Sequence, residues 1–578
     1  MMINRRLFLG GSASVAALAA LAACGSSSGS SSSGGASATP TKLAASDINK
    51  VDRSKLQKGG ELTIPIGGWI PNYNRLHIDG NTDDAKTLAD FVLGSNFIWA
   101  DDASISVDED YCTDYKEEEK DGNTVITLTL NPKAKWNSGD SINYEDYKAA
   151  WEFCNGTDEA KTAVVASTDG WDHIKSIEKG KDEFEVITTF DGVFPDWSSV
   201  LGGATIPAAL AKDVDTFSGW TDASNTDYWT GPFLVTSSDK TKQSYTLQKN
   251  PNWWGDEPLL DTVTIKVVDS NAQGTAFANK EIDTVDTIID ASTYQQCQQR
   301  ADGEIRQAAG LQWRHFTMNG ATGLLKDQKL RQAIVKGIDR ETITEADLQG
   351  LPVPASQLQL GNHFFMPNDA DYQDNTGDYK FNKDQAIKEL EELGWTLPDG
   401  KEYREKDGKT LSIKYLRLPD VSTSATEGKI LQSNMKDIGV EIVMDDTNND
   451  DFFPERISKG NFEIVAFTWI GTDWPMANIG QIYGKDSASN YTGVWSEDLE
   501  KLIDEVGSEA DHAKRVELAQ EADKLIWDEA IVTPIYSRAG YVAVPKALAN
   551  YGSFGLSSPR MQDVGYTDLA GATATPSA

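Results

Sequence analysis

Residues able to carry acid–base or nucleophilic chemistry are few in this chain and poorly spaced for it. The five histidines, His77, His173, His315, His363 and His512, form no HExxH pair that would hold a metal on one helix face. Gly25-Ser26-Ser27-Ser28-Gly29 matches the hydrolase elbow in letters, but it lies in a Gly/Ser-rich run without the strand and helix that strain such a nucleophile. Asp369, Asp371 and Asp374 approach a calcium loop with the glycine misplaced, and a solvated loop accounts for them. Adjacent acids such as Glu391 and Glu392 fall on a solvated helix face rather than forming a glycosidase pair. No P-loop is present, so any ATP would be hydrolysed by a separate subunit. What remains is binding chemistry. Phe467-Thr468-Trp469-Ile470-Gly471-Thr472-Asp473-Trp474-Pro475 sets one carboxylate, Asp473, between two tryptophans. Trp469 and Trp474 can wall a cleft that tolerates varied side chains, and a carboxylate withdrawn from water demands a cationic partner. The same residues also suit core packing and the capping of a turn.

At 578 residues the chain can bury more than one core, and its composition, 39% hydrophobic and 25% charged, is that of a globular protein. The formal charge of -36 argues against nucleic acid, whose backbone is held by clustered Lys and Arg. Acidity of this kind serves solubility.

The first residues read as a targeting segment. Asn4, Arg5 and Arg6 form a basic head, an apolar stretch runs from Leu7 to Ala20, and Leu21-Ala22-Ala23-Cys24 closes it. The tetrapeptide resembles a bacterial lipobox, which implies that residues 1–23 are a signal peptide and that Cys24 carries lipid. Arg5-Arg6-Leu7-Phe8-Leu9 resembles a twin-arginine export motif, with Asn4 where Ser or Thr is usual, and the export route stays open. Residues 24–59 are expected to form a flexible tether, mostly Gly, Ser, Ala and Thr up to Thr41, with a reach of roughly 30 Å. Beyond Cys24 the cysteines are Cys112, Cys154 and Cys297; a Cys112–Cys154 bridge and three buried thiols are both compatible with that number.

Strand and helix periodicities alternate along the body. Thr124 to Leu130 places Ile126, Leu128 and Leu130 on one face. Similar strand signals fall at 60–66, 183–189, 244–248, 263–268, 411–416, 440–443 and 463–467. Asn382 is placed to cap a helix that Gly394 ends, and Leu499, Leu502, Ile503 and Val506 mark another. The fold class is therefore α/β, mixed α+β, in several layers.

Phrases in fixed order then resemble the extracellular solute-binding proteins of family 5, the dipeptide and oligopeptide-binding group. They include Trp136, Ser138, Gly139, Asp140 and Asp146; Thr230-Gly231-Pro232-Phe233; Asn250-Pro251-Asn252-Trp253-Trp254; Leu330-Arg331-Gln332-Ala333-Ile334 with Gly337-Ile338-Asp339-Arg340; and Gly394-Trp395. Turn and core chemistry explains most of them without a ligand, Gly139 and Gly231 as turn residues and Asp339 with Arg340 as a local cap or pair.

The resemblance implies a two-lobed periplasmic-binding-protein-like fold: lobe I at 60–310 with an inserted subdomain at about 84–217, lobe II at 311–530, a return to lobe I at 531–567 and a tail at 568–578. Hinge strands are expected near Gly310–Trp313 and Ile531–Ile535. A solute would lie between the lobes, and closure on it would signal a loaded protein to an ABC permease and its ATPase. In the family the aspartate of the segment matching 467–475 pairs with the α-amino group of a peptide. Asp473 is the candidate here, displaced by one position, with Thr472 at the usual place. Tyr491, in Ser489-Asn490-Tyr491, and Trp69, in the loop after the first strand, are further ligand-binding candidates. No metal, cofactor or catalytic residue is expected, and the partners implied are an oligopeptide or similar solute, the importer and, through the lipid, the membrane, with the protein a monomer. Two other readings remain: the same scaffold as a non-transport regulatory or envelope-assembly protein, and, ranked last, a secreted hydrolase.

Overall fold

The structure, a computed structural model, describes residues 42–569 except Ala204 and Asp486. The expected signal peptide 1–23, Cys24 and most of the expected tail 568–578 lie outside the described residues.

Three sheets dominate. The first orders strands Glu61–Ile66, Thr262–Val267, Ser244–Lys249 and Phe233–Asp239, with only the first two parallel. The second is antiparallel, in the order Cys112–Lys120, Asn123–Leu130, Glu185–Phe190 and Ile174–Lys179. Its central strand buries Ile126, Leu128 and Leu130, as alternation predicts, while the edge strand exposes charged Glu117 to Lys120, which discourages pairing with another chain. The third sheet orders Glu441–Asp446, Ser412–Arg417, Ile464–Ile470, Gly303–Met318 and Val532–Pro545. Helix Ser422–Asp437 makes the crossover that its parallel pair requires.

One large core holds the first two sheets together, from Leu62 and Ile64 to Leu128 and Val186, and Val544, Leu548, Val564 and Tyr566 join it from the C-terminal end. A second core, under the third sheet, runs from Phe277 through Ile334 and Leu431 to Tyr536. Cys112, Cys154 and Cys297 lie buried as separate thiols, so the bridge considered between Cys112 and Cys154 is not formed. Burial pushes each thiol up to about 12, which suppresses the reactive thiolate.

Local chemistry explains the boundaries. Asn143 and Asp146 form a reciprocal capping box at helix Tyr144–Cys154, and Asn382 accepts from Gln385 N at helix Lys383–Glu392. Gly139 takes φ +99, a turn conformation that suits glycine. Gly231 has another reason: a Cβ there would stand 2.5 Å from the carbonyl carbon of Val92, so close backbone approach is what requires it. Asp339 caps helix Arg340–Asp347, but Arg340 makes no local pair; it reaches Leu360 O and Pro534 O and lies over the Trp527 ring.

Two features differ from the sequence reading. The tether expected up to Gly59 is pinned earlier: Asp47 exchanges backbone bonds with Ser553 and accepts from Gln307 N, and Gln57 N donates to Tyr566 O. The long strands Gly303–Met318 and Val532–Pro545 pair along their length except at two irregularities, a larger bulge between the pairs Ala309↔Ala539 and Trp313↔Ser537 and a smaller shift between Arg314↔Tyr536 and His315↔Pro534. At the bulge, Gly310, Leu311 and Gln312 face the single residue Arg538. Val532–Pro534, within the expected second hinge strand Ile531–Ile535, pairs with His315–Thr317 inside the sheet, and the same antiparallel register puts Arg538 opposite the bulge.

Candidate functional site

A cavity of about 640 Å³ opens between the two cores, within the usual range for a small-ligand site. Phe91, Phe97 and Trp99 of the first core line it on one side, and Ile288 and Tyr541 of the second on the other. Polar groups reach it from many segments, Arg75, Asp108 and Arg560 among them, and four elements supply those described next.

Helix Asp83–Val92 supplies Asp83, Lys86 and Asp90. Thr82 caps it by accepting from Ala85 N, and Ala85, Leu88 and Val92 bury its opposite face, which turns the charged stripe to the cavity. Lys86 Nζ pairs with Asp90 at 2.7 Å. Asp286, in the loop before helix Ala291–Cys297, accepts from Tyr551 OH at 3.1 Å, and burial pushes its carboxyl up to about 6.

Asp473 follows the end of strand Ile464–Ile470. Gly471 N donates to Leu311 O, Trp474 N donates to Thr472 Oγ1, and the Trp474 indole is sunk into the first core against Trp99, ring centroids 6.2 Å apart. The tryptophan thus anchors the loop that presents the carboxylate. Asp473 lines the cavity, its Oδ1 is buried without a hydrogen-bond partner, and burial raises the group to about 7, with Lys86 pulling the other way. The carboxyl is held near the point of ionising, where an incoming cation decides its state.

The fourth element is the bulge. Gly310–Gln312 and Arg538 all line the cavity, and Arg538 Nη1 donates to Gln312 Oε1 at 3.1 Å.

The five ligand-binding candidates are therefore dispersed. Asp473 alone lines the cavity. Trp474 is core. Trp469 and Tyr491 stack on each other, 6.0 Å apart and nearly parallel, in a cluster with Phe453 and Phe467 beside the third sheet. Trp69 stacks on Tyr245 at 4.3 Å against the first core. Lys86, Asp90, Asp286 and Arg538 escaped the sequence reading. One signal was present for Arg538, a lone arginine in the strand run Ile531 to Val544, where a charge needs a reason.

A two-core α/β body with a charged cavity between the cores is the build of a solute-binding protein. The family model for "Bacterial extracellular solute-binding proteins, family 5 Middle" matches residues 109–491, and the chain belongs to that family. Among curated relatives, the oligopeptide-binding protein OppA of Mycobacterium tuberculosis is 35% identical over 537 residues, covering 91% of this chain and 87% of that protein. Among solved structures, a periplasmic EDTA-binding protein, EppA, superposes with TM-score 0.81 at 21% identity over 92% of this chain and 100% of that one. The oligopeptide-binding protein AppA from Bacillus subtilis, in complex with a nonapeptide, gives 0.69 at 18% identity over 88% of this chain and 99% of that one. Among the described residues no helix is long and apolar enough to cross a membrane.

Proposed function

We propose that this protein is the lipid-anchored substrate-binding component of an ABC importer, and that it captures oligopeptides or similar solutes in the cavity between its lobes. The observation that carries this reading is Asp473: a carboxylate lining the interlobe cavity, with a buried oxygen that no group of the protein satisfies. A peptide's α-ammonium supplies charge-assisted bonds to that oxygen, and the low surrounding polarity strengthens them. The relatives named for oligopeptide binding support the ligand class. Cys24 holds the lipid, the tether carries the body off the membrane, and closure on the ligand is what the permease reads, the importer's ATPase supplying the energy. In this reading the part of the chain packed into the first core forms one jaw and the part packed into the second core, Ile288 and Tyr541 included, forms the other, the protein acting as a monomer.

Native mass spectrometry of the unanchored protein identifies what co-purifies. Peptides present in the wild type and lost in Asp473→Ala support the amine clamp. Peptides retained by that variant remove the role of Asp473, and a ligand without amino groups removes the peptide assignment.

A further inference from the structure

Most arginines among the described residues meet a carboxylate: Arg314 pairs with Glu427, Arg515 with Asp196, Arg300 with Asp283 and Asp302, and Arg560 with Asp108, Asp110 and Asp563. Three have no such ion pair. Arg75 is satisfied by Gly80 O, Thr82 O and Asn81 Oδ1, and Arg340 by two backbone carbonyls, Thr376 and the Trp527 ring. Arg538 differs from both. It is 5% exposed, its one hydrogen bond goes to the neutral Gln312, and its Nε is buried with no partner.

A guanidinium so withdrawn from water, with neither counter-ion nor a full set of acceptors, is costly to keep. The cavity explains it. Arg538 lines the same space as Asp473, and the two stand on opposite sides of strand Gly303–Met318: Gln312 is in register with Ile470, from which the chain runs to Asp473, and on its other edge Gln312 bonds Arg538. Of the carboxylates that share the lining with Asp83, Asp90 is engaged with Lys86, Asp108 with Arg560 and Asp286 with Tyr551. The fork geometry of arginine matches a carboxylate, and the bulge at Gly310–Gln312 opens the backbone beside it.

We propose that Arg538 receives a carboxylate of the bound solute, so that the cavity selects ligands carrying an anionic group as well as a cationic one, a short peptide with both termini free being the simplest. The carboxylate site rests on the cavity being the ligand site but not on the role of Asp473, which only the demand for a cationic group needs. It makes the protein a reader of zwitterions, in which each end of the solute completes one charge that the fold leaves incomplete.

The test is calorimetric binding of a pool of tri- to pentapeptides with free C-termini and of the same pool C-terminally amidated, to wild type, Arg538→Met and Arg538→Lys. A charge-assisted bond of the usual strength predicts that wild type prefers the free acids by roughly 10- to 100-fold. Arg538→Met should bind both pools alike, and Arg538→Lys should keep part of the preference. Thermal denaturation of the unliganded proteins reports folding, and Arg538→Met should melt no lower than wild type because it removes an uncompensated charge. Equal binding of the two pools by wild type, or a preference that survives in Arg538→Met, overturns the proposal and leaves peptide capture standing. If neither pool binds wild type, peptide capture fails. Arg538 is then read by melting in malonate, where stabilisation of wild type but not of Arg538→Met upholds an anion site and equal responses overturn it.

Discussion

The buried charges of the second core and those of the cavity are built from the same residue types and end differently. In the core, Arg314 Nε donates to Glu427 at 2.8 Å and Nη1 to Thr468 at 3.1 Å, while Tyr536 OH donates to Asp347 at 3.2 Å. Burial first, and the neighbouring Glu427 charge next, push the Asp347 carboxyl up to about 8, so the cluster carries no more charge than Arg314 offsets. In the cavity, Asp473 and Arg538 each keep a buried polar atom with no partner. The core also holds orphaned atoms, Asp347 Oδ1 and the Tyr415 hydroxyl, so the difference lies in the charges: the core pairs its guanidinium with Glu427, whereas neither Arg538 nor Asp473 has an ion-pair partner among the described residues. The contrast that marks the cavity is unpaired charge rather than burial alone.

That contrast breaks most sharply if the core cluster is opened. Glu427→Gln leaves Arg314 buried without a counter-charge and should cost about 3–5 kcal/mol in chemical denaturation. Asp196→Ala should cost a similar or somewhat smaller amount. Its carboxylate meets Arg515 of helix His512–Glu529, which packs apart from the first core, and both side chains are under 10% exposed, so the loss should appear as weaker ligand binding as well as lower stability. Trp474→Ala removes the anchor of the Asp473 loop and should cost about 3 kcal/mol, with ligand affinity falling alongside.

The cavity answers to pH instead. Burial raises Asp473 from 3.8 to about 7, so the neutral form is the one folding favours. Its contribution is full below the ordinary aspartate range and is lost as pH rises through about 7. Asp473→Asn should flatten that part of the unliganded stability profile. A cationic ligand needs the ionised form, so affinity in wild type should weaken as pH falls below about 7, and titration calorimetry at several pH values checks the sign. At the small end, Lys388→Ala should shift stability by less than about 0.5 kcal/mol, since its pairing with Glu392, 3.8 Å away, is exposed.

Much of this was legible in the residue order. The alternation of Ile126, Leu128 and Leu130, the cap at Asn382 and the ordered phrases from Trp136 to Trp395 carry local physics, periodicity and turn chemistry, that needs no partner from afar. Asp473 was visible for a similar reason, as one acid among aromatics. What the sequence could not decide is which side chains meet. Trp474, Trp469, Tyr491 and Trp69 looked alike as cleft walls, yet one anchors a loop in the core, two stack on each other and one leans on Tyr245. Lys86 and Arg538 lie 452 positions apart in the chain and line one cavity. Only the register of two antiparallel strands placed a three-residue bulge opposite Arg538, and only packing between two cores left Arg538 Nε and Asp473 Oδ1 buried without a partner. Composition and spacing set the local elements, because their forces act within a few residues. The charge pattern of the cavity was decided by contacts between segments hundreds of residues apart, which the chain acquires only on folding.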